Sequence, residues 1–324
     1  MRKYVVFING LFMDYEKYQK KAASDYGAIV FRPFDDRLTN MLFRLHFSWR
    51  LNAFFDLPFK SAWFEKCFDM GDIDADDEVC FIFYESFLMS YTRKYLTYLK
   101  NKCPRSEFVF VFTNPPGDNH NLERLGKVRS YYDLIITDVQ SLAEIHGFDY
   151  YSLNPICYPD LRADGYDSDV FFVGFNKGRL ETVLRFYEQL TAMGLKCDFH
   201  ITGVKKKDQK YADKISYNSP ITYDEVLRRI SGTRCILEVV QGDLDYYTFR
   251  VYESILYRKK LITTNIGIIH SDLYNPKYIA ATKNPQEITA EFIDAIVDES
   301  EFPEKDLWSF ERFAEHIEKR LKED

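Results

Sequence analysis

Short apolar runs alternate with amphipathic segments over most of the 324 residues. The apolar runs have the length and the Val, Ile and Phe content of buried strands, and the segments between them show helical spacing. Because parallel strands need a crossover such as a helix between them, this alternation predicts doubly wound α/β domains. The first half contains six predicted strands, at 4–8, 28–34, 77–86, 107–114, 132–138 and 149–154.

One polar stretch interrupts the alternation, at YPDLRADGYDSD (158–169). Since domains usually take 100–200 residues, we expect a first domain over 1–164 and a second over 165–305. An amphipathic helix at 307–322 lies outside the alternation, and the segment 306–324 is expected to pack back on the first domain. The predicted architecture is two Rossmann-like domains facing a cleft. The predicted elements of the second domain are strands at 170–175, 197–203, 235–240 and 260–265 and helices at 178–194, 222–232 and 248–259.

Charge and cysteine content narrow the class of protein. The net charge is −7, from 43 basic and 50 acidic residues, which argues against nucleic acid as the main partner because phosphate binding relies on clustered positive charge. Six scattered Cys without a CxxC pair are typical of reduced thiols. No apolar stretch approaches the ~18 residues that span a bilayer, and Asn9–Gly10 interrupts the apolar start. We therefore expect a cytoplasmic protein.

Ligands of open parallel sheets bind beyond the carboxyl ends of the strands, which singles out the polar residues that follow each predicted strand. In the first domain, Glu85, His120 and Asp138 are candidates for a general base, because a carboxylate or an imidazole can accept a proton. Each could equally be a turn or cap residue. The candidate ligand-binding positions of the second domain outside its richest cluster are Gly174, Lys177, Arg179, Thr202, Gly203, Gln241 and Asn265.

The richest cluster is EVVQGDLDYYTFRVYES (238–254). A helix that begins near Thr248 offers free N–H groups and the positive end of its dipole to a pyrophosphate. Thr248 would add a hydroxyl and Arg250 a cation, and Glu253 could accept hydrogen bonds from ribose hydroxyls. The alternative is that Thr248 only caps a helix and that Arg250 and Glu253 are solvated.

This cluster also carries a family resemblance. LEVVQGDLDYYTFRVYESILYRKKLITTN (237–265), followed by IIHSDLYNPKYI (268–279), resembles the donor half of bacterial GT-B glycosyltransferases from lipopolysaccharide and capsular polysaccharide gene clusters. Similar proteins carry T-x-R-x-x-E, then K-L-I-T-x-N, then D-x-Y-N-P-x-x-I. The resemblance covers about residues 130–285. It implies transfer of a sugar from a nucleotide-sugar donor to a surface glycan or lipid-linked glycan precursor, without a metal cofactor.

The resemblance also implies roles for single residues. Glu253 matches the glutamate that binds the donor ribose in similar enzymes, and Thr248 and Arg250 match the start of the pyrophosphate-binding helix. Lys177 and Arg179 match a position where similar enzymes place a cation against the leaving diphosphate. Asp245 stands where many retaining relatives have the first Glu of an E-x7-E pair, so it is a catalytic candidate and retention or inversion stays open.

Other functions fit the same architecture, because fold does not determine function. One alternative is a sugar-nucleotide epimerase or a polyol-phosphate transferase. Another is a non-catalytic protein that binds a nucleotide sugar or serves as a scaffold for a partner enzyme. The presence of Asp245 where many retaining relatives have a glutamate keeps this alternative open.

The segment 37–55 has two interpretations. It reads as one amphipathic helix with basic residues at Arg37, Arg44 and Arg50, and such a helix can lie on an anionic membrane as a peripheral contact. It can equally pack on its own domain. Its apolar stripe consists of Leu38, Met41, Leu42, Leu45 and Trp49.

Overall fold

The chain folds into two units, each with its own parallel sheet. The first unit comprises Met1–Cys157 and Trp308–Asp324, and the second comprises Tyr158–Leu307. The division lies somewhat before the boundary expected after residue 164. The computed structural model describes residues 2–8, 15–31, 34, 36–52, 57–67, 73–113, 119–152, 154–161, 167–242 and 244–323.

The first sheet has the strand order β2-β1-β3-β4-β5-β6, and every neighbouring pair is parallel. Its central strands read VCFIFY and SEFVFVF and are almost wholly buried, because helices cover both faces of a parallel sheet. Two strands are shorter than the sequence predicts, since the outermost ones pair over two residues each. The strands are β1 (Lys3–Phe7), β2 (Ile29–Val30), β3 (Val79–Tyr84), β4 (Ser106–Phe112), β5 (Leu134–Thr137) and β6 (Asp149–Tyr150).

Alternate residues of these strands face two different layers. Val6 and Ile82 lie in a cluster with Ala22 and Ala23, whereas Phe7 on the opposite face contacts Tyr95. The sheet is therefore buried on both sides, as a doubly wound arrangement requires. The helices along this part of the chain are α1 (Glu16–Asp25), α2 (Arg37–His46), α3 (Trp49–Asn52), α4 (Arg93–Lys102), α5 (Asn119–Gly126) and α6 (Gln140–His146).

The single helix predicted within 37–55 is wrong, because it is divided into α2 and α3. The side-chain amide of Asn52 donates to the carbonyls of His46 (2.9 Å) and Ser48 (2.8 Å) and thereby satisfies the end of α2. Residues 53–55 of this predicted helix, and the side chain of Trp49, lie outside the described residues. None of the described helices is long and apolar enough to cross a membrane.

The second sheet has the order β12-β11-β10-β7-β8-β9 and is also parallel throughout. Sequence analysis missed its two edge strands, β9 and β12, which are only two and three residues long. The strands are β7 (Ser168–Phe175), β8 (Cys197–Thr202), β9 (Ser216–Tyr217), β10 (Thr233–Glu238), β11 (Lys260–Thr263) and β12 (Ile279–Ala281). The accompanying helices are α7 (Leu180–Ala192), α8 (Tyr223–Gly232), α9 (Phe249–Leu256) and α10 (Ala290–Asp294).

The last helix, α11 (Phe310–Glu323), belongs to the first unit. Phe313 and Ile317 are fully buried in the same cluster as strand residues of the first sheet. At the polar edge of the helix, Glu318 accepts a hydrogen bond from Tyr4 (2.8 Å) and pairs with Arg2 (2.9 Å). The apolar face of α11 thus supplies part of the first core.

The prediction of two Rossmann-like, doubly wound α/β domains is confirmed. Each unit has a six-stranded parallel sheet flanked by helices, so the carboxyl ends of its strands define one edge where loops gather. The candidate residues are considered at these edges, first in the second unit and then in the first.

Candidate functional site

A buried carboxylate ends β10. Glu238 is the last residue of this strand, and its two side-chain oxygens accept hydrogen bonds from the hydroxyls of Thr248 and Thr263. Burial raises the pKa of Glu238, and these two hydrogen bonds together with the charges of Arg250 and Arg179 act in the opposite direction. Glu238 therefore connects the ends of β10 and β11 to the loop that leads into α9.

Thr248 is the N-cap of α9, as the sequence predicts. Its backbone is extended, and its hydroxyl oxygen accepts a hydrogen bond from the backbone N–H of Arg250 (3.1 Å). The same hydroxyl donates to Glu238, so the helix start is held by the strand next to it. Thr248 is therefore both a cap and a link to the sheet, which fixes the direction in which the α9 dipole points.

Glu253 lies one turn into α9 and is completely buried. One of its carboxylate oxygens pairs with Arg250, and the other accepts a hydrogen bond from the Tyr223 hydroxyl (2.6 Å). The Tyr223 oxygen lies 2.6 Å from that of Tyr158, and since its single proton points to Glu253, Tyr158 is the donor between the two phenols. The alternative in which Glu253 is solvated is therefore wrong.

Burial has a large effect on this carboxyl group. It raises the pKa of Glu253 to about 7, while Arg250 and the Tyr223 hydrogen bond lower it and the nearby Glu238 raises it further. Both oxygens are engaged, so a ribose hydroxyl would have to replace Tyr223 or Arg250 as the partner. The ribose-binding role of Glu253 stays a prediction.

Arg179 supplies a second cation near Glu238. Its Nε donates to the Phe175 carbonyl (3.0 Å), and its Nη1 donates to the Val239 carbonyl directly after β10. Burial lowers the pKa of Arg179; Glu238 opposes this, and Arg250 adds to it as a like charge. The charges of both arginines therefore act on the same carboxylate, Glu238.

Gly174 makes room for this arginine. A Cβ at position 174 would lie 2.6 Å from Arg179 Nη2 and 3.4 Å from the ring of Phe172, so any side chain there would displace the guanidinium. Packing against Arg179 and Phe172 thus explains why a glycine stands near the end of VFFVGF (170–175). The absence of a side chain at Gly174 therefore leaves room for the Arg179 guanidinium, and a close approach of a ligand to the Gly174 backbone is not needed to explain the glycine.

The turn between β7 and α7 has an unusual backbone. Lys177 and Gly178 have φ of 41° and 82°, and the side-chain amide of Gln241 donates to the Lys177 carbonyl. The Lys177 side chain is exposed. Asn176 accepts a hydrogen bond from Leu180 N–H (3.1 Å) and thereby satisfies the first backbone donor of α7. The turn therefore brings Lys177 and Gln241, two predicted site residues, together.

The other candidates of the second unit have different surroundings. The Thr202 carbonyl accepts from Asn176 N–H (2.7 Å), and Gly203 has φ of 80° and donates its N–H to Asn218 (2.8 Å), so both serve the end of β8. Asp245 is exposed. Asn265 is buried, and within the part of the chain that the structure describes its Oδ1 receives no hydrogen bond.

The carboxyl edge of the first sheet gathers acidic residues. Glu85 follows β3 and accepts a hydrogen bond from Thr113 (2.9 Å), and the buried Asp138 follows β5 and accepts one from Asn154 (2.8 Å). Burial raises the pKa of Tyr15, and the charges of Glu16, Glu85 and Asp138 raise it further.

Sequence analysis missed Tyr15 and Glu16, because they read as the start of a polar helix. His120 lies in the first turn of α5, and the preceding residues 114–118 are outside the described residues, as are Asn9 and Gly10. Among the described residues, no three His, Cys, Asp or Glu side chains are grouped so as to hold a metal ion. The structure therefore brings Glu85 and Asp138 to one edge, as the sequence predicts.

Comparison with solved structures bears on the fold. An alpha-glucosyltransferase in complex with UDP-glucose and DNA containing an abasic site matches with 14% identity over 97% of this chain and 90% of that chain, at a TM-score of 0.50. A UDP-forming alpha,alpha-trehalose-phosphate synthase from Burkholderia xenovorans matches with 11% identity over 99% and 96%, at a TM-score of 0.51. No family model and no curated protein matches the chain.

The chain spans about half the length of the first solved structures it matches. It covers 53% of the Glycosylation Associate Protein (Gap123) complex chain from Streptococcus agalactiae and 52% of TarM, at TM-scores of 0.40 and 0.43. At these identities the likeness concerns the fold alone. The matches over nearly the whole chain confirm the GT-B fold class predicted from the sequence.

Proposed function

We propose that the protein is a glycosyltransferase that takes a sugar from a nucleotide-sugar donor. The observation that carries this proposal is the buried Glu238, on which the charges of Arg179 and Arg250 act, at the carboxyl end of β10 and the start of α9. Two cations and a helix N-terminus at that edge suit a diphosphate. The similarity of the fold to solved glycosyltransferases supports the proposal.

The chemistry gives each group a task. The bond between the anomeric carbon and the phosphate oxygen breaks through an oxocarbenium-like state, and the nucleoside diphosphate leaves with an additional negative charge. Arg250 and Arg179, with the exposed Lys177, stabilise that charge as it develops, and the dipole of α9 contributes in the same direction. Until the donor binds, the carboxylates of Glu238 and Glu253 balance the two arginines.

The first unit supplies the acceptor side in this proposal. Glu85, Asp138 or His120 removes the proton of the acceptor hydroxyl. We further propose that the acceptor is a lipopolysaccharide or capsular polysaccharide precursor, as the motifs of the donor half suggest, and that no metal cofactor is needed.

A lipid-linked acceptor would place the enzyme at a membrane surface. Leu38, Met41, Leu42 and Leu45 on α2 are between 48% and 61% exposed, although all are apolar. Arg37 and Arg44 on the same helix would pair with anionic headgroups. We propose a peripheral contact of α2 with an anionic membrane at the cytoplasmic face.

The first experiment is a thermal-shift screen with UDP-, GDP-, CMP- and dTDP-sugars and their free nucleotides. A ligand at 100 times its Kd stabilises by about 2.7 kcal/mol, which shifts the melting temperature by several degrees. We expect one nucleotide family to raise it, and Arg250→Ala to abolish that rise. Arg228→Ala, which removes an exposed arginine of α8, is the matched control. If no nucleotide raises the melting temperature of the wild type or of Arg228→Ala, the donor proposal is wrong.

A turnover assay then separates the enzyme from a non-catalytic binder. With the donor identified, release of its free nucleotide is measured with and without glycan acceptor, in buffer with EDTA and with added Mg²⁺. Acceptor-dependent release in EDTA would support the metal-independent transferase. Binding without release under any condition would favour the scaffold alternative.

A further inference from the structure

The first unit contains a cavity of about 680 Å³ beside the beginnings of β5 and β6. This volume lies within the range of sites for small molecules, about 300–1,000 Å³. The walls include Asp133 and Leu134 at the start of β5 and Asp149 at the start of β6. Asp138, at the other end of β5, is roughly 15 Å away at about 3.3 Å per strand residue. The cavity therefore belongs to a different edge of the sheet from the base candidates.

The lining of this cavity is strongly basic although the chain has a net charge of −7. Four cationic side chains line it, against two carboxylates. A local concentration of positive charge against the overall sign attracts anions to one place on the surface. The cations are Arg93, Lys127, Arg129 and Arg320.

Both carboxylates already have partners. Asp149 pairs with Arg320 (2.7 Å) and with His316, and Asp133 accepts a hydrogen bond from the backbone N–H of Phe108 (2.7 Å). Asp149 is thus compensated by Arg320, and the negative charge of Asp133 stands against the three remaining cations of the wall, so the balance of charge there is positive.

Those three cations keep unused donors. Arg93 donates its Nε to the Lys127 carbonyl (2.9 Å), and Arg129 donates its Nη1 to the His146 carbonyl (2.9 Å). Each guanidinium has five N–H donors, so most remain for a ligand. Within the described ranges of the chain, the Lys127 ammonium forms neither an ion pair nor a hydrogen bond, and it is exposed.

We propose that this cavity binds a small dissolved molecule with at least two negative groups, phosphates in the first place. Guanidinium groups bind phosphate oxygens in pairs, and a lysine adds a compact point charge. Three cations with unused donors favour a ligand with more than one negative group over a singly charged ion. Binding is sensitive to salt, because the three cations face open solvent.

The test is a calorimetric titration of the full chain with inorganic pyrophosphate at low ionic strength. We expect Lys127→Ala/Arg129→Ala to weaken pyrophosphate binding at least tenfold. The control Lys206→Ala/Lys207→Ala removes two exposed cations of the second unit and changes the net charge equally. It should bind as the wild type does. If the double variant does not fold, Lys127→Ala alone should still weaken binding at least threefold.

A second variant separates this cavity from the proposed donor site, which would also attract pyrophosphate. Arg250→Ala should leave one class of pyrophosphate sites unchanged, and that class should disappear when Lys127→Ala/Arg129→Ala is added. The proposal is overturned if Arg250→Ala alone removes all binding. It is equally overturned if the control variant weakens binding as much as the cavity variant, because the effect would then be general charge screening.

Discussion

Glu253 carries an ionisable group with no exposed surface, between a guanidinium and a phenol. The folded chain holds its proton up to about pH 7, whereas an unfolded chain releases it near the ordinary value of 4.5. Between these two values the folded state binds more protons than the unfolded state, so the free energy of unfolding falls as the pH rises. This window covers the neutral conditions in which Arg250 would bind a donor.

Replacing this carboxyl group by an amide removes the ionisation. We expect the free energy of unfolding of Glu253→Gln to fall less between pH 4.5 and pH 8 than that of the wild type. The difference is at most about 3 kcal/mol, because one pKa unit corresponds to about 1.4 kcal/mol. Urea denaturation at several pH values measures it. Glu299→Gln, an exposed position, should follow the wild type, and a parallel course for Glu253→Gln would contradict the assignment.

Gly174 gives a second prediction at this scale. In Gly174→Ala the new methyl group displaces Arg179 from the Val239 carbonyl, because the present gap to Nη2 is only 2.6 Å. We expect a loss of about 1–3 kcal/mol in stability from overpacking. Affinity for the donor found in the thermal-shift screen should fall at least tenfold.

The control is Gly126→Ala, where a Cβ would meet nothing within 4 Å. It should bind the donor as the wild type does. Unchanged donor affinity in Gly174→Ala would mean that Arg179 does not face the donor, even if stability falls as expected.

The sequence was enough to predict several residues of this site, but not which of them are buried or what they contact. Thr248 could be predicted as a cap because capping depends on neighbours two residues away. The burial of Glu253 could not, since it depends on Tyr158 and Tyr223, which are far away in the chain. Glu238 was hidden in a strand that reads as apolar. An acid within a buried run is nevertheless a signal, because a buried carboxylate needs partners.

At the scale of elements, α2 leaves most of its apolar stripe uncovered within the described residues. Only Phe43 of its ten residues is buried, so most of the stripe predicted from the sequence faces outward. Helical spacing predicts that apolar residues share a face, but it does not say what that face contacts.

The membrane proposal makes a direct prediction for this helix. Leu38→Gln/Leu42→Gln should reduce co-sedimentation with vesicles of anionic phospholipid at least fivefold, since each buried apolar side chain contributes about 1.5–3 kcal/mol. Ile145→Gln, which replaces a still more exposed apolar residue on α6, should have no effect. Equal binding to purely zwitterionic vesicles would contradict the role of the arginines, and no binding at all would refute the proposal.

The strands show where sequence patterns work. The central strands β3, β4, β7 and β10 could be predicted because burial on both faces produces continuous apolar runs. Of the edge strands, β2 and β6 were predicted but at greater length, whereas β9 and β12 were missed, because strands of two or three residues leave little pattern in the sequence. Edge strands therefore depend on the neighbouring strand more than on their own residues.

At the scale of the molecule, the chain returns to its first unit only through its last residues. Phe310, Phe313 and Ile317 recur at helical spacing and lie in the core of the first sheet, whereas the second sheet has a separate core that includes Leu190. The amphipathic pattern predicts the helix, but only the separate cores show which unit it stabilises.

This division predicts local effects of core substitutions. Phe313→Ala removes a fully buried ring and should cost about 3–5 kcal/mol in the first unit. Hydrogen exchange measured by mass spectrometry should show lost protection in peptides from β1 and β3 but not in those from β7 and β10, because local opening follows the core that is damaged. Leu190→Ala, also fully buried, should give the reverse pattern. Equal loss in both units for either variant would show that the two cores unfold together, and α11 would then stabilise the whole chain.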